Sequence, residues 1–316
     1  NLKGKRIIGT GFCGFIGNNF LRLLLQENPS EILVIDKMTY VSDKGFCIEN
    51  DIHVMETDIA SPDILEWVPR FNPDLVINMA AESSVDRSIE DPDIFVRSNV
   101  LGTTNMMNAG LRCSNLELFH HVSTDEVYGD KTTGWSIEDD PRITSSPYSA
   151  SKAAAEMFVE AYGRTFKLPY LITRSSNNYG PFQHYEKFIP KAIRCLLENK
   201  PIPVYGNGLQ ERDWIHAEDN SNAILSLIKK DKLVHSIYNV GGDFTYTNIL
   251  IIRMLCELMD KNFDESVQYV TDRPGHDIRY AISTKRLNDE LGFELDIRPL
   301  KNGLEETIDW YRWKLI

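Results

Sequence analysis

Short apolar runs alternate with stretches of helical periodicity along the first half of the chain. The apolar runs predict strands at residues 6–10, 32–35, 53–56, 75–78, 118–122 and 170–173. Helical spacing of apolar positions predicts helices at residues 15–26, 93–111 and 148–166. This alternation is typical of a parallel sheet covered by helices. The sequence therefore predicts an α/β fold with a Rossmann-type, doubly wound parallel sheet.

Beyond the sixth predicted strand the alternation gives way to loops rich in Asn, Gly, Pro and aromatic residues. Shorter helices are predicted there, at residues 190–197 and 248–259. The change divides the chain into a dinucleotide-binding domain, residues 1–176, and a smaller substrate-binding lobe, residues 177–316. The boundary is soft, because residues 212–228 could fold back onto the first domain.

Composition excludes several classes of protein. The formal net charge of −12 disfavours nucleic acid as a partner, since a phosphate backbone attracts basic surfaces. No apolar run reaches the ~20 residues that span a bilayer, and we expect neither a membrane partner nor a signal peptide. The five cysteines are scattered without a Cys-x-x-Cys pair. They predict reduced thiols in the cytoplasm, with no disulfide framework and no metal site.

A glycine-rich turn follows the first predicted strand. Gly11, Gly14 and Gly17 form a G-x-x-G-x-x-G pattern at the start of a helix, where backbone N–H groups can approach a pyrophosphate. Such a turn can also be purely structural, but Asp36 ends the second strand about twenty residues further on, in position to bind an adenosine ribose 2′-hydroxyl. That carboxylate would repel a 2′-phosphate. The pattern therefore predicts NAD as the cofactor rather than NADP.

Tyr148 and Lys152 are four residues apart in a strongly helical segment, so both project from one face. For Tyr148 to act as a base near neutrality, its pKa must fall by roughly 3 units, about 4 kcal/mol of preferential phenolate stabilisation. The ammonium of Lys152 and a positive nicotinamide ring could supply it. The alternative is an amphipathic helix with a surface tyrosine and lysine.

Two adjacent carboxyl groups follow the fifth predicted strand, at the edge of the sheet where ligands of such folds bind. Asp125 and Glu126 can act as acid and base if their surroundings separate their pKa values. Elimination of water beside a ketone needs such a pair. The alternative is an acidic, solvated loop.

Ordered motifs along nearly the whole chain resemble those of extended short-chain dehydrogenase/reductases, and among these the dTDP-glucose 4,6-dehydratase family. Besides the glycine turn, the motifs lie at residues 36–40, 80–83, 85–89, 123–129, 146–152, 176–181, 211–214 and 272–277. The resemblance implies conversion of a nucleotide-sugar substrate into its 4-keto-6-deoxy form plus water, with NAD reduced and regenerated within one turnover. It also implies a homodimer built on the two long helices.

The resemblance assigns a role to each of five catalytic residues. Tyr148 would take the O4 proton as hydride leaves C4, while Thr124 binds O4 and Lys152 tunes the tyrosine. Glu126 would remove the C5 proton, and Asp125, held protonated, would protonate the departing C6 hydroxyl. Hydride would then return to C6.

Matching positions also imply two sets of binding residues. Cofactor contacts correspond to Gly11, Gly14, Phe15, Ile16, Gly17, Asp36, Lys37, Met38, Thr39, Asp58, Ile59, Met79, Ala80, Ala81, Ser83, Ser98, Tyr148, Lys152 and Asn178. Nucleotide-sugar contacts correspond to Ser83, Thr124, Asn177, Lys187, Phe188, Pro203, Val204, Tyr205, Arg212, Asn248, Asp272, Arg273, Pro274, Gly275 and His276. Arg212 and Arg273 are cations suited to a diphosphate, and Tyr205 offers an aromatic face to a base.

The chain departs from the family pattern at several positions. Phe12 and Cys13 replace a small Gly-Ala pair, and Gly9 stands where a β-branched residue is usual. Ser84 replaces a usual His and Phe188 a usual Leu, which affects the expected sugar and nucleotide contacts more than the chemistry.

Other functions remain open at this point. A UDP-glucose 4,6-dehydratase would share all the chemistry and differ in the base that it binds. A sugar 4-epimerase needs Tyr148 and Lys152 but has no use for Asp125 and Glu126. A non-enzymatic NAD-binding scaffold would typically lose one catalytic residue, whereas all five are present.

Overall fold

A computed structural model describes residues 1–272 and 275–315. The strands are β1 (Arg6–Thr10), β2 (Glu31–Asp36), β3 (His53–Glu56), β4 (Leu75–Asn78), β5 (Leu118–Thr124), β6 (Tyr170–Ser175), β7 (Asn177–Tyr179), β8 (Ile202–Tyr205), β9 (Glu211–His216), β10 (Ile237–Val240), β11 (Thr245–Thr247) and β12 (Val267–Val270). The helices are α1 (Phe15–Gln26), α2 (Gly45–Glu49), α3 (Ile64–Phe71), α4 (Val85–Glu90), α5 (Pro92–Phe95), α6 (Gly102–Gly110), α7 (Pro147–Phe166), α8 (Phe188–Leu197), α9 (Ala217–Ile228), α10 (Asn248–Leu258), α11 (Phe263–Ser266), α12 (Lys285–Leu291) and α13 (Leu300–Leu315).

Seven strands form one parallel sheet, in the order β3-β2-β1-β4-β5-β6-β10. All six predicted strands are confirmed, and the α/β, doubly wound fold with them. Strands β5 and β6 each continue two residues further than predicted, to Thr124 and Ser175. The extension carries polar side chains to the carboxyl edge of the sheet, where a ligand of such a fold binds.

Alternate residues of the central strands are buried on opposite faces of the sheet. Ile7 and Ile77 belong to a core that also contains residues of α1 and α9, whereas Ile8 and Val76 belong to a core shared with α6 and α7. Because both faces are covered, the strands read as continuous apolar runs rather than as alternating ones.

The seventh strand of the sheet lies within residues 177–316, the range predicted as the second lobe, of which only residues 212–228 were expected to fold back onto the first domain. Strand β10 pairs with β6, and α9, within residues 212–228, packs against α1. Leu287 of α12 is buried in the same core as α1. A short strand can join the sheet late in the sequence because the edge of β6 offers unpaired N–H and C=O groups. The chain therefore returns to the first domain twice after residue 177.

The helix predicted at residues 93–111 is interrupted. Helices α5 and α6 are joined by a π-helical turn at Val96–Leu101 that buries Asn99. The Asn99 side chain accepts a hydrogen bond from the backbone N–H of Glu82 (2.9 Å) and donates to Ser151 Oγ of α7 (2.8 Å). The turn thus ties the loop after β4 to the helix that carries Tyr148.

The second lobe has its own core between two small sheets, β11-β9-β7 and β12-β8, and helices α8, α10 and α13. Its three- to six-residue strands lack a clear alternation, and the sequence did not predict them. The predicted helices at 190–197 and 248–259 are confirmed as α8 and α10, with small shifts of their ends.

Candidate active site

The glycine turn between β1 and α1 is built for close approach of a ligand to the backbone. Gly11 has a φ of 70°, and a Cβ there would lie 2.7 Å from the Cα of Ala80. A Cβ on Gly17 would lie 2.4 Å from the carbonyl oxygen of Gly11. Side chains are excluded at both positions, so the start of α1 stays open to an anionic group.

Asp36, at the end of β2, is held in a fixed orientation beside this turn. Its carboxylate accepts hydrogen bonds from the backbone N–H groups of Cys13 (3.1 Å) and Met38 (2.9 Å) and from Ser42 Oγ (3.0 Å). The side chain is largely buried and lines the cleft at the carboxyl edge of the sheet. A carboxylate in this position fits a ribose hydroxyl, as the sequence predicts for NAD.

The cleft brings together nearly all the residues predicted for the cofactor. Those that line it are Gly11, Gly14, Phe15, Ile16, Gly17, Asp36, Lys37, Thr39, Asp58, Ile59, Met79, Ala80, Ala81, Ser83, Ser98, Tyr148, Lys152 and Asn178. Met38 is the exception, because its side chain packs against the core beside α1. A dinucleotide fits this donor set, with its pyrophosphate at the glycine turn and its ribose at Asp36.

The five predicted catalytic residues line the same cleft. Three follow β5 directly: Thr124 caps a short 3₁₀ turn, its Oγ1 accepting from the backbone N–H of Glu126 (3.3 Å) and donating to Asp125 Oδ1 (3.2 Å). The other two lie on α7, which begins with Pro147 and a capping box. That start of α7 sets the phase in which Tyr148 and Lys152 face the end of β5.

Asp125 lies in surroundings that suit an acid. Its side chain is buried, and Oδ2 has no hydrogen-bond partner among the described residues. Burial, and after it the charges of Glu126 and Asp213, raises the pKa of Asp125 well above its ordinary value. A raised pKa favours the protonated carboxyl group, the form that can donate a proton.

Tyr148 and Lys152 are both buried, with opposite consequences for their pKa values. Burial, and then the charge of Glu126, raises the pKa of Tyr148, while the Thr124 hydroxyl lowers it. Burial lowers the pKa of Lys152 to about 8. The protein by itself therefore shifts Tyr148 away from the phenolate form, and a further positive charge is needed to make it a base.

Four of the residues predicted for the substrate lie in the cleft: Ser83, Thr124, Asn177 and Lys187. Lys187 Nζ donates to the carbonyl oxygen of Ser83 (2.9 Å), so a hydrogen bond joins the second lobe to the loop after β4. Phe188 follows at the start of α8 but stacks on Trp214, with ring centroids 6.0 Å apart.

The other predicted substrate residues that the structure describes lie on the second lobe, outside the lining of this cleft. Pro203, Val204 and Tyr205 form most of β8, and Asn248 begins α10. Val204 is buried in the core of the second lobe, and its predicted substrate contact stays a prediction. Arg212 is also buried, and its guanidinium donates to the carbonyl oxygen of Asp277 (2.9 Å).

Three further predicted substrate residues are described by the structure: Asp272, Gly275 and His276. Asp272 contacts His276 Nδ1 (2.6 Å) and accepts from Gln210 Nε2 (2.9 Å). The ring of Tyr205 lies 6.3 Å from that of His276, and Gly275 has a φ of 65°. Arg273 and Pro274 lie outside the described residues.

Tyr40, Glu82, Arg87 and Glu186 also line the cleft, and none of them had a predicted role. Lys37 Nζ lies 2.6 Å from Glu82 and Arg87 Nη1 lies 3.3 Å from the same carboxylate. Tyr40 Oη donates to Glu186 across the cleft (2.7 Å). All of these except Glu186 stand in recognised motifs, but only the fold shows that they meet.

The part of the chain that the structure describes contains no cluster of His, Cys, Asp and Glu that could hold a metal ion. None of its described helices is both long and apolar enough to span a membrane.

Known proteins match the chain over most of its length. Residues 7–241 match the NAD dependent epimerase/dehydratase family. The chain is 37% identical to the dTDP-glucose 4,6-dehydratase of Haemophilus influenzae (96% of this chain and 97% of the relative covered). It is 40% identical to that of Xanthomonas campestris (96% and 92% covered).

Solved structures agree in fold. A dTDP-glucose 4,6-dehydratase from Streptomyces venezuelae, with NAD and TYD bound, has a TM-score of 0.92 at 34% identity (98% of this chain and 97% of that chain covered). A UDP-glucose 4-epimerase from Thermotoga maritima has a TM-score of 0.91 at 23% identity (98% and 100% covered), a likeness of fold alone.

Proposed function

The chain belongs to the NAD dependent epimerase/dehydratase family and within it to the dTDP-glucose 4,6-dehydratases, and from this premise we propose that it converts dTDP-glucose to dTDP-4-keto-6-deoxyglucose and water. Its cofactor is NAD. The observation that carries the proposal is the pair Asp125 and Glu126, which share a cleft with Tyr148 and Lys152. A sugar 4-epimerase of the same fold needs only the second pair, because it eliminates no water.

In the first step Tyr148 accepts the proton of the sugar O4, and Thr124 holds that oxygen. When bound, NAD supplies the hydride chemistry, away from C4 and back to C6, and a positive ring that favours the phenolate. The Lys152 ammonium, on the same face of α7, favours the phenolate too. These two charges offset the effect of burial, which raises the pKa of Tyr148.

In the second step the 4-ketone acidifies the C5–H bond. Glu126 removes the C5 proton, and Asp125 gives its proton to the C6 hydroxyl, which leaves as water. The raised pKa of Asp125 keeps that proton available until it is needed. Reduction at C6 and return of a proton to C5 complete the 4-keto-6-deoxy sugar.

The proposed substrate contacts divide between the two lobes. Ser83, Asn177 and Lys187 stand at the cleft and would hold the sugar and its diphosphate. Tyr205 and His276, near each other on the second lobe, would contact the nucleotide. The buried Arg212 reaches a diphosphate only if its bond to the Asp277 carbonyl is exchanged.

The test uses dTDP-glucose and UDP-glucose, each deuterated at C4, with product analysis by NMR. Deuterium at C6 of a 4-keto-6-deoxy product establishes internal hydride return, and faster turnover of the dTDP sugar establishes the base. An epimerised product would refute dehydration. Faster turnover of the UDP sugar would replace the substrate and leave the mechanism standing.

We also propose that the enzyme works as a homodimer in the cytoplasm. Met157, Phe158 and Phe166 are exposed on α7, and Val96 and Leu101 are exposed on the neighbouring π-helical turn. Exposed apolar side chains on α7 and on the neighbouring π-helical turn suit burial against a second copy. The five cysteines are free thiols, as expected in a reducing compartment.

A further inference from the structure

A row of polar side chains crosses the buried centre of the sheet beneath the cofactor cleft. Thr10, Asn78 and His121 are register partners on β1, β4 and β5, so their side chains share one face. Thr10 Oγ1 lies 2.7 Å from Asn78 Oδ1, and Asn78 Nδ2 lies 3.2 Å from His121 Nδ1. All three side chains are completely buried. Polar groups placed there must satisfy one another.

The row ends at Lys152. His121 Nε2 lies 3.4 Å from Lys152 Nζ, and Nζ also donates to the carbonyl oxygen of Val122 (2.6 Å). His121 is the side chain to which this ammonium is bonded among the described residues. The backbone carbonyl and the imidazole therefore set the direction in which Lys152 points.

The protonation state of His121 follows from its position. Burial, and then the charge of Lys152, holds the pKa of His121 well below its usual value, so the ring is neutral. An ammonium can only donate, so Nε2 must be the unprotonated nitrogen and Nδ1 must carry the ring proton. The structure places Asn78 Nδ2 beside Nδ1 and Asn78 Oδ1 beside Thr10 Oγ1. This tautomer therefore requires the Asn78 amide to be turned over, so that Oδ1 accepts from Nδ1–H and Nδ2 donates to Thr10 Oγ1.

We propose that His121 is a positioning residue for the dehydration reaction, a neutral imidazole that accepts a hydrogen bond from Lys152 and aims its ammonium at Tyr148. This inference rests on the proposed function. Without the acceptor the ammonium turns toward other partners, and phenolate stabilisation at Tyr148 weakens. The other titratable groups around the pair are Glu156 on α7, Asp125 and Glu126 beside Tyr148, and His120 beside His121.

The adjacent residue on the strand supplies a matched control. His120 is equally buried but projects from the opposite face of β5, where Nε2 lies 2.9 Å from Thr173 Oγ1. Its loss perturbs the same strand without touching Lys152. A purely structural role for a buried histidine predicts similar effects at the two positions.

The experiment compares His121→Leu, His121→Gln and His120→Leu as NAD-loaded enzymes. His121→Leu should lower kcat roughly 10- to 100-fold, the value of a hydrogen bond to a charged group. The acidic limb of its kcat–pH profile should move to higher pH by about one unit, because Tyr148 becomes harder to deprotonate. His121→Gln keeps an acceptor near the Nε2 position. Its kcat and its acidic limb should therefore both lie close to those of the unsubstituted enzyme. His120→Leu should leave the limb in place.

A second measurement does not depend on turnover. ¹⁵N NMR of histidine-labelled enzyme, assigned with His121→Gln, should show the Nδ1–H tautomer at His121. An Nε2–H tautomer, or equal loss of kcat with an unmoved limb in both Leu variants, would overturn the proposal. If the unsubstituted enzyme makes no 4-keto sugar, the proposed function fails instead, while the tautomer still tests the contact with Lys152.

Discussion

The aromatic ring of Phe12 occupies the space where a side chain at Gly9 would project. A Cβ on Gly9 would stand 2.2 Å from Cε2 of the Phe12 ring, which is completely buried. The two departures from the family pattern, at Gly9 and Phe12, therefore compensate each other in the packing of the core. The large Phe12 side chain fits into the glycine turn because Gly9, in the strand before it, has no side chain.

Gly9→Val should lower the free energy of unfolding by about 3 kcal/mol, because a packed core does not readily absorb added methyl groups. Phe12→Ala alone should cost about 3–5 kcal/mol through the cavity that it leaves. The loss of unfolding free energy in the double variant should be smaller than the sum of the two single losses by at least about 1 kcal/mol, because valine fills part of that cavity. Urea unfolding of the four proteins measures this coupling, and strict additivity would contradict it.

Asp125→Asn should stop elimination while C4 oxidation continues, because an amide cannot supply the proton that the C6 hydroxyl needs. Turnover should fall by about 10²- to 10⁴-fold. Bound NADH should accumulate to near one per site, which its absorbance reports in stopped flow. Glu126→Gln is the companion variant and should also trap NADH. A variant that forms no NADH, although it contains as much NAD as the unsubstituted enzyme, would show that Asp125 acts before elimination.

Lys152→Met should abolish most activity and yet stabilise the protein at neutral pH. The folded-state pKa of Lys152 is about 8, below the ordinary lysine value of 10.5, so the folded protein binds fewer protons than the unfolded chain between these values. The buried ammonium then costs about 3 kcal/mol below pH 8, and the cost fades as pH rises toward 10.5.

Unfolding curves at pH 7 and pH 10 check this prediction. Lys152→Met should be the more stable protein at pH 7, and the difference should shrink at pH 10. Lys191→Met, at an exposed lysine of α8, is the control and should change little at either pH. A Lys152→Met protein that is less stable at both values would mean that its hydrogen bonds outweigh burial of the charge.

Phe158→Asp should convert the proposed dimer into a monomer, because a charge would be placed at the centre of the apolar surface of α7. Light scattering after size exclusion measures the mass. Phe244→Asp changes a more exposed aromatic residue between β10 and β11 and should leave the dimer intact. A monomeric unsubstituted protein would refute the homodimer.

The Rossmann sheet was predictable from the sequence alone, and the residues of the proposed catalytic set were recognisable in it. Six strands were predictable because the sheet is buried on both faces, which makes each strand a continuous apolar run. The glycine turn, Asp36, the Thr124–Glu126 segment and the Tyr148–Lys152 pair were readable because each is a local pattern. Such patterns depend only on residues that are neighbours in sequence, and so they can be recognised without the structure.

Features that depend on residues distant in sequence, such as strand pairing, burial and pKa shifts, became visible only in the tertiary structure. Strand β10 carries only four residues and became part of the sheet by pairing with β6. Only the packing shows that Val204, a predicted substrate contact, is buried in the second core. The pKa of Asp125 depends on burial and on Asp213, which another lobe contributes. His121 meets Lys152 across 31 residues, because strand register and the phase of α7 place both on one face. Register, burial and long-range charge arise only when separate segments pack together, and no local pattern contains them.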